Sequence, residues 1–369
     1  MADADRAGPA PAAPRRRPSA ALEYPLDAPA PDGSVVEVAP GVLWARMPMP
    51  MALDHINVWL LRGDAGWTIV DTGLATDTTR ALWERIVAER LDGAPIEALV
   101  CTHFHYDHAG LAAWITERFD VPLFMSLTEF LMLRIMGRDL PDPPHPELQG
   151  FYDSAGMPPE RSQRVFAALR GDPFIPPRQG HFRRLRGGDA MTIGPRRWQV
   201  LIGEGHSPEH VCLYCAEERL LIAGDQLLPR ISSNVLVNAF EPDGNPLASW
   251  FESLDRLDRC APDTLVLPSH QSAFRGLHAR VHELREHHRH QLDLLRRCVA
   301  ERGACTAYDA MTVLFPRLRH AADDMLALGE TVAHLSWLCA EGSLCRRKDS
   351  EGRLLYGCVP TREDAEVHW

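Results

Sequence analysis

Four metal-capable side chains fall within six residues of the stretch Thr102-His103-Phe104-His105-Tyr106-Asp107-His108. An apolar run (Ala98-Leu99-Val100-Cys101) precedes it and a helical pattern (Ala109 to Phe119) follows. A strand, a ligand-rich loop and a helix in that order constrain the chain to an α/β architecture with the loop at the carboxyl edge of a sheet, where such folds place their sites. Neutral imidazole and carboxylate are preferred ligands of zinc and similar divalent ions. A His-rich surface loop without function is the bland alternative, and further ligand-type residues downstream speak against it.

Three further positions carry ligand-type residues just past an apolar run. Gly205-His206-Ser207-Pro208-Glu209-His210 follows a strand pattern ending at Ile202, Gly224-Asp225-Gln226 follows one ending at Ala223, and Pro268-Ser269-His270 follows one ending at Leu267. Taken singly, each reads as well as a capping or hydrogen-bonding residue. Between and before them the pattern runs β-rich (35–38, 42–47, 56–61, 67–70), then helix (76–91), strand (95–101), helix and strand (121–125). After an interruption it continues as strands at 190–193, 198–202, 210–215 and 219–223, a helix at 246–259 and a strand at 264–267. Two such halves suggest two sheets packed face to face with helices outside.

Together with His103-x-His105-x-Asp107-His108, these positions resemble the metallo-β-lactamase superfamily of dinuclear metallohydrolases, over about residues 35–270. The resemblance implies an α/β fold, a four-layer αββα sandwich. It implies that His103, His105 and His206 hold a first metal and that Asp107, His108 and His270 hold a second. Asp225 would bridge them, and Asp107 and Asp225 would be the catalytic carboxylates. Asp71, in Val70-Asp71-Thr72-Gly73, matches a family position that supports the site by hydrogen bonding. The cofactors implied are two divalent metal ions, zinc first, with iron or manganese as alternatives, and the chemistry is hydrolysis by an activated water. His210 is expected beside the ligands. His55 and Tyr152 are candidate substrate contacts, with a purely structural histidine as the alternative for His55.

The rest of the chain bounds the substrate. A formal net charge of −11 speaks against a general nucleic-acid or anionic-membrane binder. Among the substrates that the resemblance implies, this leaves a small acyl ester, thioester or lactone as the expected one. An RNA-cleaving phosphodiesterase and a mono-iron oxidoreductase of the persulfide dioxygenase kind are the alternatives, and a metal-sensing DNA-binding regulator is a non-enzymatic one. No window approaches the roughly 20 apolar residues of a membrane span. Nine scattered cysteines do not form a disulfide framework. Cys212-x-x-Cys215 lies in a strand pattern that sends its side chains to opposite faces. The cytoplasm is the expected location, a small molecule the expected partner, and a homo-oligomer an open expectation.

Residues 1–30, Ala- and Pro-rich at the start, are expected to be a disordered tail and residues 31–276 the catalytic domain. Within it, 126–186 is a helical insertion, read either as a lid or as plain packing. Residues 277–369 open with a long charged helix, whose histidines (His278, His282, His287, His288, His290) read as a solvated face. Two helices and two short strands follow in the order of a small winged helix. With 13 Arg/Lys against 14 Asp/Glu from Leu277 onward, packing or dimerisation is favoured over DNA binding.

Overall fold

The computed structural model describes residues 21–136, 140–170, 180–318 and 320–359. In chain order the catalytic half begins with β1 (Val35–Ala39), β2 (Val42–Pro48), β3 (His55–Arg62), β4 (Trp67–Val70), α1 (Asp77–Arg90) and β5 (Ile96–Val100). It continues with α2 (Tyr106–Ala109), α3 (Ala112–Phe119), β6 (Leu123–Met125), α4 (Leu127–Met136), α5 (Pro146–Ser154) and α6 (Pro159–Arg170). Then come β7 (Arg183–Arg184), β8 (Ala190–Ile193), β9 (Arg196–Gly203), β10 (His210–Cys215), β11 (Leu220–Gly224), α7 (Pro246–Leu257) and β12 (Leu265–Pro268). The C-terminal part holds α8 (Leu277–Arg302), β13 (Ala304–Cys305), α9 (Ala307–Leu314), α10 (Ala321–Ala340), β14 (Leu344–Lys348) and β15 (Leu354–Cys358).

Strands β1 to β7 form one sheet in sequence order, and β12-β11-β10-β9-β8 form a second. Alternation along each strand assigns its side chains to layers. In β2, Val42 and Trp44 face the second sheet, while Leu43, Ala45 and Met47 face α1, α3 and α4. In β10, Val211, Leu213 and Cys215 face the first sheet, and Cys212 faces the other way, into the core beneath α7 and α8. The three hydrophobic cores are thus the three interfaces of a four-layer αββα sandwich, as the strand pattern predicted. The two cysteines do point to opposite faces, and all nine thiols are free.

Several local expectations change. The helical pattern 109–119 is two helices interrupted at Gly110-Leu111, where Gly110 lies so close to the carbonyls of Tyr106 and Gly73 that a side chain would not fit. Residues 21–30, assigned to the tail, are ordered against the sandwich: Leu22 is buried in the core and Glu23 makes a β-bridge with Arg275. Residues 1–20 of that expected tail lie outside the described residues. On α8, His278, His282 and His290 are exposed, but His288 is fully buried and its Nδ1 lies 3.1 Å from Nε2 of His334.

The insertion divides between the two parts of the molecule. Phe130 and Leu133 of α4 pack on the first sheet. Tyr152, Val165 and Phe166 of α5 and α6 belong instead to the core that contains Leu328, Val332 and Leu335 of α10. Arg161 of α6 pairs with the buried Asp324 of α10 at 2.8 Å. The second half of the insertion is therefore built into the C-terminal core. There, α8, α9 and α10 are followed by the β14–β15 hairpin, with β13 joining it in a sheet ordered β13-β15-β14.

Candidate metal centre

Each ligand position stands where a strand ends. Asp71 follows β4, the 102–108 loop follows β5, His206 lies between β9 and β10, Asp225 follows β11, and His270 follows β12. Strands β4 and β5 run parallel in one sheet, as β11 and β12 do in the other. Their carboxyl ends therefore bring all these loops to one edge. Asn57 of β3 joins the two sheets there: its backbone N–H donates to the Ser269 carbonyl at 2.6 Å and its side-chain amide donates to the Pro268 carbonyl at 2.8 Å.

The seven side chains converge. The groups His103/His105/His206, His103/His108/Asp225 and Asp107/His108/His270 each place their ligand atoms within 4.8 Å of one another. His103 Nε2 lies 2.8 Å from His105 Nδ1 and 3.3 Å from His206 Nε2. Asp225 reaches both groups. Its Oδ2 is 3.5 Å from His206 Nε2 and 3.6 Å from His108 Nε2, and its Oδ1 is 3.4 Å from His270 Nε2. Asp107 Oδ2 is 3.4 Å from His270 Nε2 and 3.5 Å from His108 Nε2.

Acceptors behind the rings fix which nitrogen faces inward. His108 donates from Nδ1 to Asp71 Oδ2 at 2.8 Å, His206 from Nδ1 to the Asn234 carbonyl at 2.8 Å, and His270 from Nδ1 to the His55 carbonyl at 2.9 Å. A carboxylate or carbonyl can only accept, so in the neutral form of each ring it is Nε2 that turns a lone pair toward the cluster. Thr102 completes the support. Its N–H and hydroxyl donate to Asp71 at 2.8 and 2.9 Å, and its oxygen takes the Nδ1 of His103 at 3.1 Å. Asp71 does this from a left-handed backbone, φ 63°, a conformation that asparagine and aspartate tolerate better than most residues.

Electrostatics divide the cluster. Burial holds His103 and His206 below the ordinary imidazole value and takes His105 down to about 3. Those rings are neutral, the form that ligates metal. Around His108 and His270 burial alone would also depress the rings. Asp107, Asp71 and Asp225 outweigh it at His108, while Asp225 and Asp107 push His270 up to about 10. Three buried carboxylates thus make this half attract positive charge. His108 Nε2 and Asp225 Oδ1 are buried and lack a hydrogen-bond partner. Buried polar atoms are rarely left so, and these two orphans, an imidazole lone pair and a carboxylate oxygen, are what a divalent cation would satisfy. The donor set fits two such ions.

The other expected residues are placed as follows. His210 is fully buried and stacks on His103 with ring centroids 4.7 Å apart, and its Nε2 accepts the Asp225 N–H at 3.1 Å. Gly224, at φ 54°, is needed beside it because any Cβ there would run into the His210 ring. The His55 ring is held by Asp54, Nδ1 at 2.6 Å, and by the loop of His270, with Nε2 accepting the Gln271 N–H at 3.0 Å. It supports the site through its carbonyl. Tyr152 is 3% exposed and edge-packed against Phe151 and Phe166 in the C-terminal core. Glu129 of α4 was missed: it is fully buried, with burial raising its carboxyl to about 7, and its partners are the two ligand loops. The only sequence signal was an acid in a largely apolar helix.

The family model described as the metallo-beta-lactamase superfamily matches residues 51–270, and one described as a metallo-beta-lactamase-like C-terminal domain matches 292–359. The chain belongs to the metallo-beta-lactamase superfamily, and it is a metal-dependent hydrolase of that class. It is similar to a probable metallo-hydrolase, YqjP, of Bacillus subtilis, 28% identical over 82% of this chain and 93% of the relative. It is also similar to the acyl-coenzyme A thioesterase MBLAC2 of Gallus gallus, 26% identical over 50% of this chain and 62% of that protein. Among solved structures it resembles a beta-lactamase domain protein from Burkholderia ambifaria, 40% identical with a TM-score of 0.85, covering 92% of this chain and 98% of that one. Among the described residues no helix is long and apolar enough to cross a membrane.

Proposed function

We propose that the protein is a dinuclear hydrolase of a small acyl ester, thioester or lactone. The observation that carries this reading is Asp225, one carboxylate that meets both histidine groups: its Oδ2 lies 3.5 Å from His206 Nε2 and 3.6 Å from His108 Nε2, and its Oδ1 lies 3.4 Å from His270 Nε2. In this reading His103, His105 and His206 hold one ion, Asp107, His108 and His270 the other, and Asp225 bridges, with zinc as the expected metal. Bound there, the ions would supply Lewis acidity and lower the pKa of a water toward neutrality. The chain's own part is to aim Nε2 of His108, His206 and His270 inward, through the acceptors that hold each ring at Nδ1. Asp107 and Asp225 supply negative charge that offsets the cations and orients the attacking water.

The substrate class draws support from the thioesterase relative and from the net charge of −11, which does not suit a polyanion. By the same charge argument we place nucleic acid outside the substrate range. The small-molecule partner, the cytoplasmic location and the division at residues 276/277 belong to the same proposal. The test is hydrolysis of a panel of acyl thioesters, aryl esters and lactones by metal-replete protein, with His105→Ala as control. Turnover of one of these classes that disappears in the control supports the reading. No turnover of any, together with cleavage of RNA, would replace it with the phosphodiesterase alternative.

A further inference from the structure

We propose that Glu129 is a positioning residue of the metal centre, tying together the two loops that carry His103, His105 and His206. Its Oε2 accepts the backbone N–H of Phe104 at 3.0 Å. Its Oε1 accepts the Ser207 hydroxyl at 2.7 Å and the Glu209 N–H at 2.8 Å. Phe104 lies between two of the three imidazoles, and Ser207 directly follows the third. The two loops grow from different sheets, one after β5 and the other between β9 and β10. A single buried carboxylate therefore spans the joint between the halves of the sandwich at the point where the first ligand group must close.

The surroundings make the clamp rigid. Glu129 is fully buried, and its neighbours in α4, Phe130 and Leu133, are packed on the first sheet. The contact is doubled one residue earlier, where the Thr128 N–H donates to Glu209 Oε2 at 2.7 Å. A buried carboxylate is costly unless donors surround it, and these donors come from the ligand loops. Packing of α4 needs no acid at this position, since Phe130 and Leu133 already face the sheet. Hydrogen bonds behind the ligands of a metal site typically govern its affinity by about 10–100-fold. Glu129 does so through the backbone on both sides, touching no metal itself.

This inference rests on the assignment of His103, His105 and His206 as one metal site, and the test separates the two claims. Zinc affinity is measured by chelator competition for the wild type, Glu129→Gln and Ser207→Ala, with thermal unfolding of each metal-free protein alongside. The glutamine amide must turn its NH2 toward Phe104 N–H or Glu209 N–H, so at least one loop is released. The expected result for Glu129→Gln is a loss of about 10–100-fold for one of two bound ions. The second ion should stay near its wild-type affinity. A smaller loss in the same direction is expected for Ser207→Ala, which keeps the carboxylate and both backbone donors. Cobalt(II) bound to the weakened site should show an altered visible spectrum. Wild-type affinity for both ions in Glu129→Gln, or in Ser207→Ala should the first variant not fold, would overturn the role of Glu129. A parallel loss of both ions with collapse of the metal-free protein would do the same by making the residue merely structural. A wild type that binds no zinc would instead defeat the metal assignment itself, and the positioning role with it.

Discussion

Asp71 Oδ2 accepts the Nδ1–H of His108 at 2.8 Å, and the opposite nitrogen of that ring is buried without a partner, facing Asp107 and Asp225. An aspartate just past β4 thereby decides which end of a ligand ring is free. Asp71→Asn keeps the left-handed backbone, which asparagine tolerates, but it places an amide NH2 against the donors Thr102 and His108. The expected outcome is a loss of about 10–100-fold in affinity for the ion at Asp107, His108 and His270. Chelator competition checks it, and an unchanged affinity would show that His108 does not need this acceptor.

Tyr152, a candidate substrate contact from the sequence, is enclosed by Phe151 and Phe166 in the core shared with α10. Tyr152→Ala should destabilise the fold by about 3–5 kcal/mol, as deletion of a buried aromatic does. Tyr152→Phe keeps the packing and should leave KM and kcat at the wild-type values. A raised KM in the phenylalanine variant would restore the substrate contact.

Glu330 of α10 is buried, and burial raises its carboxyl to about 8. The folded chain then holds a proton that the unfolded chain releases above its usual value near 4.5. Stability from this group is complete below pH 4.5 and falls as pH rises toward 8, where the folded state loses the proton as well. Glu330→Gln removes that dependence. Its melting temperature should match the wild type at pH 4.5 and exceed it increasingly up to pH 8, levelling off above. A difference independent of pH would contradict the assignment.

The sandwich was legible because it rests on local order: period-two alternation sets the layers. The seven converging side chains stand beyond apolar runs, but taken singly His206, Asp225 and His270 read as capping or hydrogen-bonding residues, and it was the resemblance of the whole set to a known family that joined them. What escaped depends on contacts between distant segments. Glu129 is one acid in an apolar helix, and only the folded chain shows that its partners are Phe104, Ser207 and Glu209. The histidines of α8 share a charged helix, yet His288 turns inward because α10 brings His334 to meet it. Likewise nothing near Val165 or Phe166 announces that α6 completes a core with Leu328 and Val332 of the C-terminal helix. Leu22 and Glu23 follow a Pro-rich segment, and their order comes from Arg275 and the core beyond it.

The central claim is a two-ion site bridged by Asp225. Elemental analysis of protein purified without chelator tests it most directly, on the wild type beside His105→Ala and His270→Ala. About two zinc ions per chain are expected in the wild type and about one in each variant, because each substitution opens one of the two ligand groups. One iron per chain in the wild type, with His270→Ala retaining it in full, would contradict the dinuclear site.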